Sequence, residues 1–490
     1  MSRASHARRF HLTLALAALS ATAGGAPQTG NAGDKVPITT ASEEARKLYL
    51  QGRDLSEKLR ATDARKYFEQ AIQKDKDFAL AYLGLANTAG TAKEFFDAAS
   101  RGAALADRVS AGERAMLLAN DAIAKGDVAG QERQLTELVK AFPGDERAQM
   151  LLGNYHFGRQ NYAKAIEHYT TATTINPSFS QPYNQLGYAN RSLVKYPEAE
   201  RAFRQYIKLI PDDPNPYDSY AELLMKMGRF DESIQNYEKA LSIDAHFVAS
   251  LIGIANDQIF QGKTDAARAT LLRLDAVARN AGEKRLARLW TANAYLHDVA
   301  PDKALAEIQK MVALAEADHD LAAVSGDLNV MGDLLRDAGR LEEAAAKYAA
   351  SVSTMDMAAV PAEVKQATRR NLLFEEGRLA VARKDLAVAK AKSAEYAKQV
   401  AVKSNPFEQF QVHQLAGILA LAENNGAVAV AELQKANPLD PQVLYQLALA
   451  TRAAGDAAAA KAIAVRAADF NALNFNYGYV RSKAKQLAGT

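Results

Sequence analysis

A 34-residue period between residues 146 and 279 restricts this chain to a small group of folds. A small residue recurs once per period, a second small residue follows twelve positions later, and a large apolar residue comes four positions after that. Two antiparallel helices that cross closely need this combination of small and large side chains. The three lines are Gly153, Gly187, Ala221 and Ala255; Ala165, Ala199, Ser233 and Ala267; and Tyr169, Phe203, Tyr237 and Leu271.

The chain resembles the tetratricopeptide repeat family at five positions of one unit, which are Gly153, Ala165, Tyr169, Ala172 and Pro177. The same pattern extends over most of residues 41–470 as about ten or eleven units, although residues 98–144 match it poorly. The resemblance implies an all-α fold, a right-handed α-solenoid in which each helix-turn-helix unit packs on its neighbours.

The sequence as a whole predicts six segments. They are a signal peptide at residues 1–23, a flexible leader at 24–41, partly degenerate N-terminal repeats at 42–145, regular repeats at 146–279, C-terminal repeats with longer connections at 280–470, and a capping helix at 471–490. Thr40 with Glu43 fits a capping box that starts the first helix. In the capping helix, we expect Tyr477 to face the last repeat and Arg481 to face water. The alternative is that the aromatic residues of this segment stack on a ligand.

The first 23 residues have the order of a secretory signal. Arg3, Arg8 and Arg9 precede an apolar stretch, and Ala21-Thr22-Ala23 fits a cleavage site before Gly24. The stretch is shorter than the roughly 20 residues that cross a membrane. The chain has no Cys and therefore no disulfide framework. We expect export to a bacterial periplasm with the signal removed, and the alternative is retention as an uncleaved anchor.

The charge balance argues against a nucleic-acid partner. The chain has 60 Lys and Arg against 57 Asp and Glu, and the three arginines of the signal account for the difference. A nucleic-acid binder normally carries a basic excess to neutralise phosphates. After the signal, charged residues interrupt every helix-length window, so no transmembrane segment is predicted in the mature chain.

Motifs for catalysis, cofactors and metals are incomplete. Gly262-Lys263-Thr264 resembles the end of a phosphate-binding loop, but Asp257 stands where the loop requires Gly. Ser192 and Lys195 have S-x-x-K spacing without the companion elements of that enzyme class. His156 and His168 could face each other, yet zinc would need a further protein ligand. We therefore predict no catalytic, cofactor-binding or metal-binding residue and no enzymatic activity.

The resemblance directs attention to the concave side of the array, where first-helix residues of this family bind proteins or extended peptides. Amide side chains there can pair with a peptide backbone, while aromatic residues and Met supply apolar contact. The predicted protein-binding residues are Asn154, Phe157, Asn184, Tyr188, Arg191, Asp218, Glu222, Met225 and Asn256.

The sequence therefore predicts a non-enzymatic scaffold of the bacterial cell envelope that binds a protein or an extended peptide. A competing hypothesis is a periplasmic accessory component that binds a glycan or small ligand, with an enzyme partner. Self-association through the ends of the array is a third. A further alternative is that the predicted protein-binding residues bind no partner and only form a hydrated groove that keeps the array soluble.

Overall fold

A computed structural model describes residues 35–403 and 405–489. The predicted signal peptide and residues 24–34 of the predicted leader lie outside these residues. The described chain divides into two compact units. The N-terminal unit contains residues up to Leu223 together with Ser242–Asp244, and the C-terminal unit contains Leu224–Leu241 and the residues from Ala245 onward.

Eleven helices begin in the N-terminal unit. They are α1 (Glu43–Glu57), α2 (Ala61–Lys74), α3 (Ala79–Asn87), α4 (Ala92–Ala104), α5 (Ala111–Lys125), α6 (Val128–Ala141), α7 (Glu146–Gly158), α8 (Tyr162–Ile175), α9 (Gln181–Ser192), α10 (Tyr196–Leu209) and α11 (Asn215–Lys226). A short 3-10 turn, Ala106–Arg108, follows α4.

The C-terminal unit continues the same alternation with fourteen helices. They are α12 (Phe230–Ile243), α13 (Val248–Phe260), α14 (Thr264–Val277), α15 (Ala281–His297), α16 (Pro301–Ala317), α17 (Leu321–Asp337), α18 (Leu341–Met357), α19 (Ala362–Ala382), α20 (Leu386–Ala401), α21 (Pro406–Ala422), α22 (Gly426–Leu433), α23 (Pro441–Ala453), α24 (Ala457–Ala468) and α25 (Tyr477–Ala488).

The predicted all-α repeat fold is confirmed, since residues 35–403 and 405–489 form 25 α-helices in consecutive packed pairs and no strand. The first 24 helices make twelve helix-turn-helix pairs, and α25 follows the last pair. Twelve is one more than the upper figure predicted. The poorly matching stretch 98–144 begins inside α4, the second helix of the pair α3–α4, and contains the whole pair α5–α6.

The turn inside successive pairs uses a left-handed residue with the predicted period. Gly126, Gln160, Val194, Gly228 and Gly262 follow one another at 34-residue intervals, and all have φ between 60° and 81°. This conformation ends a helix by turning the next N–H back onto its last carbonyls. Gly262 therefore belongs to a turn, as its register with Gly228 predicts, and not to a phosphate loop.

The predicted interlocking of the paired helices is confirmed. A Cβ atom placed on Gly153 would lie 2.6 Å from Cε1 of Tyr169, and one on Gly187 would lie 2.5 Å from Cε1 of Phe203. The rings of Tyr169 and Phe203 are completely buried. In these two pairs the first helix therefore rests directly on the large side chain of the second helix, which supplies the core of the repeat.

Residues 35–41 are extended and hydrogen-bonded to the N-terminal unit, whereas we expected a flexible leader. The backbone N–H of Val36 donates to Asp145 (2.9 Å), that of Thr39 to Glu113 (2.7 Å) and that of Ala41 to Asp75 (3.0 Å). The first helix is capped by Ser42, whose side chain accepts from the N–H of Ala45, and not by Thr40. The predicted capping box does not form because Thr40 donates its hydroxyl to Asp75.

Candidate functional site

The predicted protein-binding residues lie on first helices, where the repeat pattern places them. In the N-terminal unit, three of them form a network between α9 and α11. The hydroxyl of Tyr188 donates to Oε1 of Glu222 (3.1 Å), and the guanidinium of Arg191 donates to Oε2 of the same carboxylate (2.8 Å). The Tyr188 hydroxyl also lies 3.2 Å from Oγ of Ser219. One carboxylate therefore orients an aromatic residue and a cation of the preceding repeat.

This network is held rigidly on its inner side. The Arg191 guanidinium carbon lies 4.7 Å from the centre of the Tyr188 ring, close enough for a cation–π contact. The Tyr188 ring meets the buried Phe203 ring edge-on at 5.2 Å. Burial raises the pKa of the Tyr188 hydroxyl well above its ordinary value, and the Glu222 carboxylate adds to this rise. Tyr188 is therefore a neutral hydrogen-bond donor throughout the physiological range.

The outer side of the network remains accessible. The Arg191 and Glu222 side chains keep 21% and 13% of their surface exposed, and Tyr188 is partly buried. An aromatic ring, a guanidinium and a carboxylate thus present apolar surface, donors and acceptors within one small area. These are the groups that anchor protein partners when their conformation is fixed beforehand.

Two predicted residues on α7 make contacts with their own repeat. Asn154 is buried, and its Oδ1 accepts from the Tyr169 hydroxyl at 2.8 Å. Phe157 is partly buried and meets the Tyr162 ring edge-on at 5.3 Å. Asn154 therefore fixes the core ring of its repeat, while Phe157 keeps some surface for a partner.

Asn184 and Asp218 are also buried. Asn184 is 1% exposed, and neither its Oδ1 nor its Nδ2 has a hydrogen-bond partner. A buried amide without hydrogen-bond partners lowers the stability of the folded chain. It cannot contact a ligand unless neighbouring residues move.

A set of residues that sequence analysis missed lies where α1 ends. Gln181, at the start of α9, donates its amide to the backbone carbonyl of Glu57. The buried Glu57 carboxylate lies 3.8 Å from the Arg147 guanidinium at the start of α7. Burial raises the pKa of Glu57 to about 8, even though Arg147 and Arg53 act to lower it. These contacts join positions about 90 and 124 residues apart in the chain, and no pattern in one sequence reports such a pairing.

The two predicted residues of the C-terminal unit are core residues. Met225 and Asn256 are each 1% exposed. The Asn256 amide donates to the carbonyl of Ile252 on its own helix at 2.9 Å. Among the predicted protein-binding residues, those with accessible side chains are therefore Phe157, Tyr188, Arg191 and Glu222, all in the N-terminal unit.

The residues considered for metal binding and catalysis have other partners. The His156 and His168 rings stack at 5.5 Å, and Nδ1 of His168 is 2.9 Å from Oε1 of Gln149. Ser192 donates its hydroxyl to the carbonyl of Tyr188 (3.0 Å), one turn back on the same helix. In the described part of the chain, no group of three or more His, Asp or Glu residues is arranged to hold a metal ion.

Among helices α1 to α25, none combines the length and the apolar character needed to cross a bilayer.

Comparison with known proteins identifies repeats in two parts of the chain. Two family profiles, both described as tetratricopeptide repeat, match residues 116–178 and residues 224–292. The first begins inside residues 98–144, the stretch that matches the repeat pattern poorly. The second covers the predicted boundary between the regular repeats, which end at residue 279, and the C-terminal repeats with longer connections.

Two curated relatives and a solved structure contain similar repeats. The chain is 26% identical over 166 residues to the DnaJ homolog subfamily C member 7 homolog of Dictyostelium discoideum. It is 32% identical over 112 residues to heat shock protein STI1 of Saccharomyces cerevisiae. A tetratricopeptide repeat protein from Parabacteroides merdae has a TM-score of 0.37 and 16% identity, with 54% of this chain and 99% of that chain covered.

The similarity to the curated relatives is confined to part of each protein. The aligned residues are 33% and 22% of this chain, and they span 30% and 18% of the two relatives. This chain therefore spans less than a third of the length of each of these relatives.

Proposed function

We propose that this chain, which is a tetratricopeptide repeat protein, is a non-enzymatic scaffold of the bacterial cell envelope that binds a protein or an extended peptide. The family and the all-α repeat fold support a role in protein interaction. The envelope location rests on the order of charged, apolar and small residues in positions 1–23.

The observation that carries the proposal is the network of Tyr188, Arg191 and Glu222 on α9 and α11. Its groups are held in place by hydrogen bonds of 3.1 Å and 2.8 Å, yet part of each side chain faces solvent. A partner that meets such a surface does not have to order it first, so less conformational entropy is lost on binding. We therefore place the main contact of the partner here, with Phe157 beside it on α7.

The test is affinity capture from the native envelope after crosslinking, with the tagged full chain as bait. Tyr188→Ala combined with Arg191→Ala removes the aromatic and cationic groups, and we expect partner recovery to fall at least tenfold. Arg201→Ala is the matched control because Arg201 is an exposed arginine on α10, a second helix, paired with Glu198. Equal recovery by the double variant and the control would remove this surface from the proposal.

Asn184 is left out of that double variant because its side chain is buried. Replacing it would alter packing between α9 and its neighbours, and a loss of binding could then not be assigned to the surface. Circular dichroism of the double variant and of Arg201→Ala should show the same helix content. The double variant should melt at a lower temperature, because Tyr188 packs against Phe203, but it should remain fully folded at the temperature of the capture.

The location is tested separately by expressing the full chain in a Gram-negative bacterium and sequencing its N-terminus. Cleavage before Gly24 with recovery in the periplasmic fraction is the expected result. A chain that keeps Met1 and remains in the cytoplasmic fraction would contradict export while leaving the binding surface untouched.

A further inference from the structure

The last helix, α25, lies on first helices of the C-terminal unit far earlier in the chain. The Tyr477 ring is completely buried and meets the Phe260 ring of α13 at 5.3 Å and the His297 ring of α15 at 5.6 Å. Gly478 follows at the closest approach, because a Cβ there would lie 2.9 Å from Nδ2 of Asn293 and from Cβ of Leu296. The helix also packs on the last pair, as a cap must, through Ala448, Ala464 and Ala488.

Polar contacts extend this docking beyond a simple cap. Arg481, which we expected to face water, donates to the carbonyls of Ile259 (3.3 Å) and Phe260 (2.7 Å). These carbonyls end α13, where the helix carries partial negative charge, and the Ile259 carbonyl also accepts from the backbone N–H of Gly262 (2.9 Å). Lys483 pairs with Asp337, the last residue of α17, at 2.8 Å. The C-terminal ends of first helices therefore attract this helix, which is why Arg481 is not directed at solvent.

The fit of α25 is incomplete at its centre. Asn293 donates Nδ2 to the carbonyl of Phe475 at 2.9 Å, but its Oδ1 is buried without a partner. One turn along α15, Nε2 of His297 is also buried without a partner. Burial, with Arg481 and Lys485 nearby, lowers the pKa of His297 to about 3, so the ring is neutral. A buried polar atom that loses water without gaining a hydrogen bond weakens the contact that buries it.

We propose that the surface of α13, α15 and α17 is a binding site for an amphipathic helix of a partner protein. In the free chain, α25 occupies this site. The ligand helix would carry an aromatic residue, a Gly at the next position and an Arg four positions after the aromatic residue. Tyr477, Gly478 and Arg481 provide this arrangement internally. Helix-in-groove recognition with anchors at i and i+4 is a common way to bind a helical segment.

A partner is favoured over a second copy of this chain by the two unpaired atoms. An α25 helix exchanged from another copy would bring the same side chains and leave Oδ1 of Asn293 and Nε2 of His297 unsatisfied. A partner helix with a hydrogen-bonding side chain beside them would satisfy these atoms, and so could displace α25. This surface is separate from the network of Tyr188, Arg191 and Glu222, so the two proposals stand independently.

The test uses a fluorescent synthetic peptide of residues 474–490 and the full mature chain. Gly478→Val adds a side chain where a Cβ alone comes within 2.9 Å of α15, so α25 should release and expose the surface. We expect this variant to bind the wild-type peptide at least tenfold more tightly than the wild-type chain does. Ser482→Val, a half-buried position on the same helix, is the control and should behave as wild type. Peptides with Tyr477→Ala or Arg481→Ala should lose binding.

A second peptide tests the ligand class directly. It keeps the aromatic residue, Gly and Arg at the spacing of α25, has unrelated helix-forming residues elsewhere, and should compete with the first peptide. Hydrogen exchange of α25 reports whether Gly478→Val has released it. Release without binding of either peptide would overturn the proposal, and so would a wild-type dimer that exchanges α25 between copies.

If Gly478→Val does not fold, a variant with an inserted protease site tests the same proposal. A protease site inserted between Ala472 and Leu473 leaves every residue of the surface and of α25 in place. After cleavage, the labelled peptide should exchange with the severed helix. Failure to exchange over several days, with the chain folded, would also overturn the proposal. Because no cellular partner is involved, failure here is distinguishable from failure of the capture experiment.

Discussion

At the scale of single residues, the fold depends on contacts between small residues of the first helix and large side chains of the second. The three repeating lines of residues 146–279 made these contacts predictable. Gly153 against Tyr169 and Gly187 against Phe203 are the clearest cases, with space for hydrogen but not for a methyl group. Ser233 stands in this line of small residues where the other repeats have Ala, and both Ser233 and Asp257 are completely buried.

Adding one methyl group at this contact should destabilise the protein. In Gly153→Ala, the new Cβ would lie 2.6 Å from the Tyr169 ring, and we expect the free energy of unfolding to fall by about 1–3 kcal/mol. Gly158→Ala is the matched control on the same helix, because a Cβ at that exposed position meets no atom within 4 Å. The control should be neutral or stabilising by up to about 1 kcal/mol, since Ala favours helix. Urea unfolding of both variants measures the difference.

Val194 occupies a turn position that suits glycine. Its φ is 60°, and a β-branched residue is strained in this left-handed region. We expect Val194→Gly to increase the free energy of unfolding by about 1 kcal/mol. The reverse change, Gly262→Val, should decrease it by a similar amount, because Gly262 has φ of 81° and open space around it. If both changes shift the urea midpoint in the same direction, backbone strain is not the cause.

Asp257 should make stability depend on pH. The side chain is completely buried, and burial raises its pKa to about 8, with the Ser233 hydrogen bond opposing that rise and Asp231 adding to it. Below pH ~4 the carboxyl is protonated in folded and unfolded chains alike, so it contributes nothing. Between pH ~4 and ~8 it ionises in the unfolded chain first. Stability therefore falls as pH rises, by at most about 1.4 kcal/mol per unit, and the loss is complete above pH ~8.

Asp257→Asn tests this directly, because the amide keeps the shape of the side chain but does not ionise. We expect the variant to be more stable than the wild type at pH 7 and to lose this part of the slope between pH 4 and 8. Asp265→Asn, at an exposed carboxylate on α14, is the control and should keep the wild-type slope. Thermal melts across this range measure both, and parallel slopes for wild type and Asp257→Asn would refute the assignment.

At the scale of elements, the paired helices were predictable but the terminal segments were not. Each pair is encoded by a local period, whereas residues 35–41, the end of α1 and helix α25 make contacts between distant parts of the sequence. Val36 and Ile38 alternate with Pro37 and Thr39, and this short alternation is the one local sign of an extended segment. Nothing local indicates that Glu113 or Asp145 receives it.

The docking of residues 35–41 should be detectable by hydrogen exchange. Glu113 accepts from both the N–H and the hydroxyl of Thr39, so Glu113→Ala should remove protection of the Thr39 amide. Ser110→Ala is the control, because it removes the other half of the same helix cap and leaves the Glu113 carboxylate in place. Each change costs about 0.5–2 kcal/mol as a lost cap, but only the first should remove the protection of the Thr39 amide. Equal loss of protection in both variants would contradict the specific role of Glu113.

At the scale of the whole molecule, the all-α repeat fold was predictable because the period is long and regular. The candidate site was predictable only as a set of positions. Register places Asn184, Met225 and Asn256 on first helices, but their burial depends on how neighbouring repeats and terminal segments pack. Tyr188, Arg191 and Glu222 interact with one another across α9 and α11, and part of each side chain remains accessible.

The central claim is that a protein partner binds across α9 and α11, and site-specific photocrosslinking in the native envelope tests it most directly. A photoreactive residue is placed at position 157 on α7 or 192 on α9, beside the network but outside its three residues, and at position 201 on α10 as the control. The account predicts the same discrete protein adduct from positions 157 and 192, identified by mass spectrometry, with none from position 201. Adducts that are equally abundant at all three positions, or absent from 157 and 192 in a folded chain, would contradict it.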